Sequence, residues 1–170
     1  PGFRPDHLAA AVEAGKHIFC EKPMAVDAPG VRKVLAAAKK AKEKNLSLVS
    51  GFTLRYDYPS RAFYGKILDG AIGEIKTVST TRFGHGLWYY PRQPQWTEME
   101  YQMRNWYYFS WLSGDFIVEN TVHNIDELSW AMGGKMPVTV TGTGGRQSRV
   151  DEKYGNIYDH FGVEFDYDNG

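Results

Sequence analysis

Cysteine is almost absent from this chain. Cys20 is the single one in 170 residues, so no internal disulfide can form and cysteine usage leaves the redox compartment open. With no activating base beside it, Cys20 reads as a packed thiol. No stretch approaches the roughly 20 apolar residues of a membrane-spanning helix. There is no excess of charge either, since Lys plus Arg and Asp plus Glu are both 20. Without a basic surface to neutralise phosphates, a nucleic-acid partner is disfavoured. His7, His17, His85, His123 and His160 are dispersed, with no two at ligand spacing on one element, which argues against a metal site. No G-x-S-x-G elbow is present for a serine hydrolase. The dinucleotide fingerprint G-x-G-x-x-G is missing too. Gly142-Thr143-Gly144-Gly145-Arg146-Gln147 imitates it, fails at its last position, and runs into polar residues where a helix should start.

What is present is ordinary globular composition, 42% apolar and 24% charged, enough for one good core or two small ones. Residues 1 to about 50 alternate helix and strand. Asp6 is a candidate cap for a helix through Leu8, Val12 and Ala14, which Gly15 stops. His17-Ile18-Phe19-Cys20 reads as a short strand. Asp27 caps a second helix with Pro29 in its first turn, and Val31, Val34, Leu35 and Ala38 form its expected buried stripe. Leu46 to Ser50 is the next strand, and this alternation implies a parallel sheet with crossover helices. The character changes after Gly51. A helix is expected over 58–68, a strand over Glu74 to Arg82, an aromatic-dense stretch over 86–112, a helix over about 115–132, and strands at 138–141 and 158–167. The expected fold is therefore α/β plus α+β. The later half of a Rossmann-type parallel sheet occupies 1–51, and 52–170 forms a second domain with a mostly antiparallel open sheet and helices on one face.

On a helical wheel over 117–132, Ile117, Val118, Thr121, Val122, Ile125, Leu128, Ser129 and Met132 share one arc, expected to pack on a core. Glu119, Asn120, His123, Asn124, Asp126, Glu127 and Trp130 share the other. Glu119 and His123 are four apart, so their side chains are expected to meet, and a carboxylate beside an imidazole suits a proton-transferring base. A large indole at Trp130 is rarely left bare, so a ligand, cofactor or other domain is expected to cover this face. A solvated face with a helix-strengthening Glu–His pair remains the plainer alternative.

Glu21-Lys22-Pro23 follows the first strand directly, at the carboxyl edge where open α/β sheets bind ligands. An ammonium there can donate to a substrate hydroxyl. The Lys22–Pro23 bond is a candidate for the cis form. An ordinary surface turn is again the plainer alternative.

Together these segments resemble the glucose–fructose oxidoreductase, inositol dehydrogenase and MocA family. The resemblance runs through Pro5-Asp6-His7-Leu8, Ala14-Gly15-Lys16-His17-Ile18-Phe19-Cys20-Glu21-Lys22-Pro23-Met24-Ala25, Gly51-Phe52 with Arg55, Gly73-Glu74-Ile75, and Gly114 to Asp126. It implies an NAD- or NADP-dependent dehydrogenase of a sugar or polyol, in which Lys22 is the catalytic lysine and His123 the acid/base. Glu119 stands where most relatives carry Asp, and Thr121 where they usually carry Gly. Glu21, Lys22, Pro23 and Arg55 become expected cofactor contacts, and Lys22, Trp106, Asn120 and His123 expected substrate contacts. The stretch from Asn105 to Asp115 looks like a subgroup of bacterial sugar-catabolic proteins. The resemblance also implies a homo-oligomer formed through the second-domain sheet, with neither nucleic acid nor membrane as partner. It places the nucleotide fingerprint ahead of Pro1. A fragment that alone binds cofactor weakly and is inactive is therefore the expectation, with cytoplasmic or exported location left open. Within the same family, NAD-dependent glycoside cleavage and a catalytically silent sugar-binding role are the alternatives.

Overall fold

The computed structural model describes residues 1–84 and 87–168, so His85 and the 169–170 end of the expected final turn lie outside the described residues. The first region is built from α1 (Arg4–Glu13), β1 (Ile18–Glu21), α2 (Ala28–Glu43) and β2 (Leu48–Gly51). The strands pair in parallel, Ile18 opposite Leu48 through Glu21 opposite Gly51. Asp27 caps α2 by accepting from Gly30 N at 2.7 Å, with proline in the first turn. Gly15 adopts the left-handed conformation (φ 67°) that releases the chain from α1 into β1.

Two local expectations shift here. α1 begins at Arg4 behind Phe3, with Pro5 in its first turn, so Asp6 is inside the helix and pairs with Lys33 instead of capping. Proline's fixed φ favours that earlier start. On α2 the buried positions are Val34, Ala37 and Ala41, while Val31 and Leu35 are exposed. The small side chains at 37 and 41 face the core with Leu8, Val12, Cys20 and Ala25, because close approach of α1 and α2 favours alanine over branched residues.

The second region opens with a 3₁₀ turn (Thr53–Tyr56) and α3 (Tyr58–Leu68), capped by Asp57. Next come α4 (Glu98–Arg104), a 3₁₀ turn (Trp106–Tyr108), α5 (Ser110–Ser113), α6 (Asp115–Glu119), α7 (Val122–Ala131), β3 (Thr139–Gly145) and β4 (His160–Asp166). β3 and β4 form an antiparallel pair from Thr139–Asp166 to Gly145–His160. The glycine run that imitates a nucleotide fingerprint is thus mid-strand. A Cβ at Gly144 would come within 2.6 Å of the Phe161 ring, which accounts for glycine at that position.

The expected strand over Glu74 to Arg82 does not form. Its alternation is present, but a strand is defined by a ladder with a neighbour, and a cavity of about 500 Å³ separates residues 75–79 from β4. The open multi-stranded sheet is accordingly reduced to two strands among the described residues.

The long helix expected over 115–132 is broken at Asn120 and Thr121. Thr121 N donates to Phe116 O, and Glu119 O, which in an unbroken helix would accept from residue 123, accepts instead from Lys22 Nζ. Asn and Thr are weak helix formers whose side chains compete for backbone, and the lysine completes the break. The apolar arc is not packed to core density: residues 117 to 130 are all half-buried, because Leu128 and Met132 border the cavity. The second core lies elsewhere, around Tyr107, Tyr108 and Ile157 with Tyr89, Trp106, Phe109, Phe116 and Tyr154 against it.

Candidate active site

β1 ends at Glu21, and the chain turns through a cis Lys22–Pro23 bond. Arg4 donates to the Pro23 carbonyl, tying the turn to α1. Opposite Glu21, Gly51 leaves room for the glutamate carboxylate, which a Cβ would meet at 2.8 Å. The Glu21 carboxylate therefore lies across the carboxyl ends of the two parallel strands, next in sequence to Lys22.

Lys22 reaches across to the second region. Its Nζ donates to Glu119 Oε1 at 2.6 Å and to the Glu119 carbonyl, and the two side chains are 17% and 15% exposed. A shielded ion pair that also satisfies a backbone carbonyl is held more firmly than a surface pair. Glu119 therefore serves Lys22, and the expected direct pairing of Glu119 with His123 is not the arrangement present.

His123 begins the first turn of α7. The Phe52 ring meets it edge-on, with centroids 6.2 Å apart. Burial pushes its pKa below the ordinary imidazole value, and the charges of Lys22 and Arg82 push the same way against Glu119 and Asp126. A neutral imidazole at pH 7 has a lone pair ready to accept a proton.

The remaining expected site residues divide. Arg55 is committed to α7: Nε and Nη2 donate to the Asp126 carboxylate at 2.8 and 3.0 Å, and the guanidinium lies 4.5 Å from the Trp130 ring centroid. That engagement favours a positioning task for Arg55 over cofactor contact. Trp130 is covered by Arg55 and by Tyr64, stacked at 4.5 Å, so the chain's own residues supply the cover expected from a ligand. Asn120 sits at the break and accepts from Arg82 Nε at 2.5 Å. Trp106 packs among Trp88 and Tyr107 in the aromatic core. Two buried oxygens of this region, Thr121 Oγ1 and Asn124 Oδ1, have no hydrogen-bond partner.

Two residues near the site were not singled out from sequence. Arg82 is an exposed arginine in an irregular segment, where the sequence marked only the end of an expected strand. Tyr107, 5% exposed, has its phenol pushed up to about 12, first by burial and then by the charge of Glu119. In a 3₁₀ turn successive side chains point about 120° apart, and Tyr107 lies within reach of the charges of α6.

Residues 1–49 match the family described as an oxidoreductase family with an NAD-binding Rossmann fold. The inositol 2-dehydrogenase of Rhizobium meliloti (strain 1021) is 32% identical over 158 residues, covering 93% of this chain and 41% of that protein. The trans-1,2-dihydrobenzene-1,2-diol dehydrogenase of Macaca fuscata fuscata is 26% identical over 152 residues, 87% of this chain and 40% of that protein. The aldose–aldose oxidoreductase of Caulobacter crescentus, solved with glycerol, shares the fold at a TM-score of 0.72 and 20% identity, over 99% of this chain and 45% of that one. The chain thus spans about 40% of the length of the curated relatives it matches.

Proposed function

We propose that the chain, whose residues 1–49 match an oxidoreductase family with an NAD-binding Rossmann fold and which is similar to an inositol 2-dehydrogenase, carries part of the active site of an NAD- or NADP-dependent oxidoreductase of the glucose–fructose oxidoreductase, inositol dehydrogenase and MocA family acting on a secondary alcohol of a sugar or polyol. The observation that carries this reading is the Lys22–Glu119 ion pair, whose glutamate stands four residues before a half-buried His123 with a lowered pKa that feels the charge of Lys22. An ammonium from a strand end and an imidazole from a distant helix then face one gap.

Bound NAD or NADP supplies the hydride acceptor. The strand ends beside Glu21, Lys22 and Pro23 suit that group: Gly51 adds no side chain there, and Glu21 is exposed. In the oxidation, His123 takes the hydroxyl proton on an imidazole nitrogen while Lys22 Nζ donates to the substrate oxygen as negative charge develops on it. Glu119 holds Lys22 in place until substrate arrives. Asn120 is free to offer its amide N–H groups to a substrate hydroxyl. Arg55, through Asp126 and Trp130, fixes the helix that bears His123. The division of the chain at 51/52 into a nucleotide domain and a substrate domain belongs to the same proposal. So does self-association through the β3–β4 sheet, where Val138, Val140 and Val163 are exposed.

The test is reduction of NAD and NADP by the full-length protein, followed by absorbance, across a panel of myo-inositol, glucose, glycerol, D-gluconate and D-glucuronate, at least one of which should be oxidised. Turnover by wild type and its loss in Lys22→Met and His123→Asn are expected. A Lys22→Met variant with undiminished turnover contradicts the proposal.

A further inference from the structure

Arg82 lies in the irregular segment 81–84 and is exposed. Its Nε donates to Asn120 Oδ1, and Asn120 stands at the helix break three residues before His123. A guanidinium carries five N–H donors in a planar fork. The bond to Asn120 uses one and aims the others. No carboxylate among the described residues pairs with Arg82. The nearby acids are already engaged, Glu119 by Lys22, Asp126 by Arg55 and Glu127 by the hydroxyl of Tyr64.

Among the described residues, the groups that act most strongly on His123 come from several elements. They are Lys22 from the end of β1, Glu119 from α6, Arg82 from the 81–84 segment, Asp126 on α7 itself, and the uncharged ring of Phe52. Lys22 offsets Glu119 and Arg55 offsets Asp126. Among the described residues, Arg82 is left as one positive charge with no paired carboxylate, acting on an imidazole that must become positive to act as a base.

Resting on the dehydrogenase reading, we propose that Arg82 is a specificity residue that binds a substrate carboxylate, so that the molecule oxidised between Lys22 and His123 is a sugar acid of the aldonate or uronate class. The fork of a guanidinium matches a carboxylate in geometry and charge. A neutral sugar leaves the excess charge in place, and a second positive charge then accumulates when His123 is protonated. An acidic substrate removes that repulsion, so its binding and proton uptake by His123 reinforce one another. The step itself balances: the carbinol O–H and C–H bonds break, the proton goes to His123, the hydride goes to the bound nicotinamide, and a keto acid is left.

The test uses the full-length protein with ¹³C-labelled histidine and follows the His123 resonance through a pH titration with D-glucuronate, D-gluconate, D-glucose or inorganic phosphate. At least one of the two acids is expected to raise the His123 pKa saturably, with glucose without effect and phosphate at least about tenfold weaker than the acid. Arg82→Gln is expected to raise the His123 pKa without ligand and to abolish the response to the acid, while Arg82→Lys keeps part of it. Four results overturn the inference: no response to either acid, an equal response to glucose, a response that survives Arg82→Gln, or an equal response to phosphate, which assigns the fork to a cofactor phosphate instead. The readout needs no turnover. Failure to reduce cofactor with any sugar or acid therefore counts against the dehydrogenase reading, whereas oxidation of neutral polyols at the wild-type rate by Arg82→Gln counts against the sugar-acid assignment alone.

Discussion

Lys22 and His123, the two arms of the proposed site, are carried by regions packed in different ways. Lys22 follows a strand whose Cys20 is buried in a core with Leu8, Val12, Val34, Ala37 and Ala41. His123 rides on α7, where residues 122 to 130 are half-buried and only Ala131 is buried, with a cavity alongside. Many small van der Waals contacts fix the strand that precedes Lys22, and the pair with Glu119 holds its ammonium. A few polar and aromatic clamps fix the imidazole: Arg55 on Asp126, Tyr64 on Trp130, Lys22 on Glu119 and Arg82 on Asn120. Close packing distributes the load over a core, while a clamp concentrates it in one pair. Single substitutions should therefore act on the lysine arm through stability, and on the histidine arm through alignment.

The largest expected effect removes the chemistry from either arm. His123→Asn should lower kcat/KM of the full-length enzyme by about 10²- to 10⁴-fold, the range for a lost acid/base, with its folding intact. The same change should flatten the acid limb of stability. The folded-state pKa of His123 lies below the ordinary value, so the unfolded chain binds the proton first, and stability falls as pH drops through the window between the two. A wild-type melting temperature that is unchanged across that window contradicts the assignment.

Next come the packing variants, which measure the contrast itself. Leu8, 2% exposed, should cost about 2–5 kcal/mol when changed to Ala, as buried leucines do. Leu128, half-buried beside the cavity, should cost about 1 kcal/mol. Urea unfolding of both variants checks the ratio, and equal losses remove the distinction between the arms. Arg55→Ala should then lower kcat by about tenfold or more through misplacement of α7, while cofactor affinity stays constant. A change in cofactor affinity alone would return Arg55 to the cofactor site. The smallest effect belongs to Thr121→Val. Thr121 Oγ1 is buried with no partner, and removing an unsatisfied hydroxyl is close to neutral or slightly stabilising, as thermal melts should register.

Sequence signals are most legible in the lysine arm because they are local. Asp27 with Pro29, Gly15, and the Glu21-Lys22-Pro23 turn each act within a few residues, and each is found where expected. What misled were positions decided by distant contacts. Val31 and Leu35 look as apolar as Val34, yet the neighbouring α1 selects the alanine face of α2. The alternation of residues 74–82 is a strand pattern, but no neighbouring ladder completes it. The wheel over 117–132 assumed an unbroken helix, and the carbonyl of Glu119 is taken by a lysine 97 positions away in sequence. The same long-range capture explains why Glu119 serves Lys22 rather than His123. The strand pattern that includes Arg82 and the aromatic run that includes Tyr107 point to packing, and only the folded chain brings their charge or phenol within reach of His123 and Glu119.

The convergence of the two arms is tested most directly by the pKa of His123, measured by NMR in wild type and in Lys22→Met. Removing the lysine charge and leaving Glu119 unpaired should both raise it. A His123 titration curve identical in the two proteins, with the fold unchanged, contradicts the shared site.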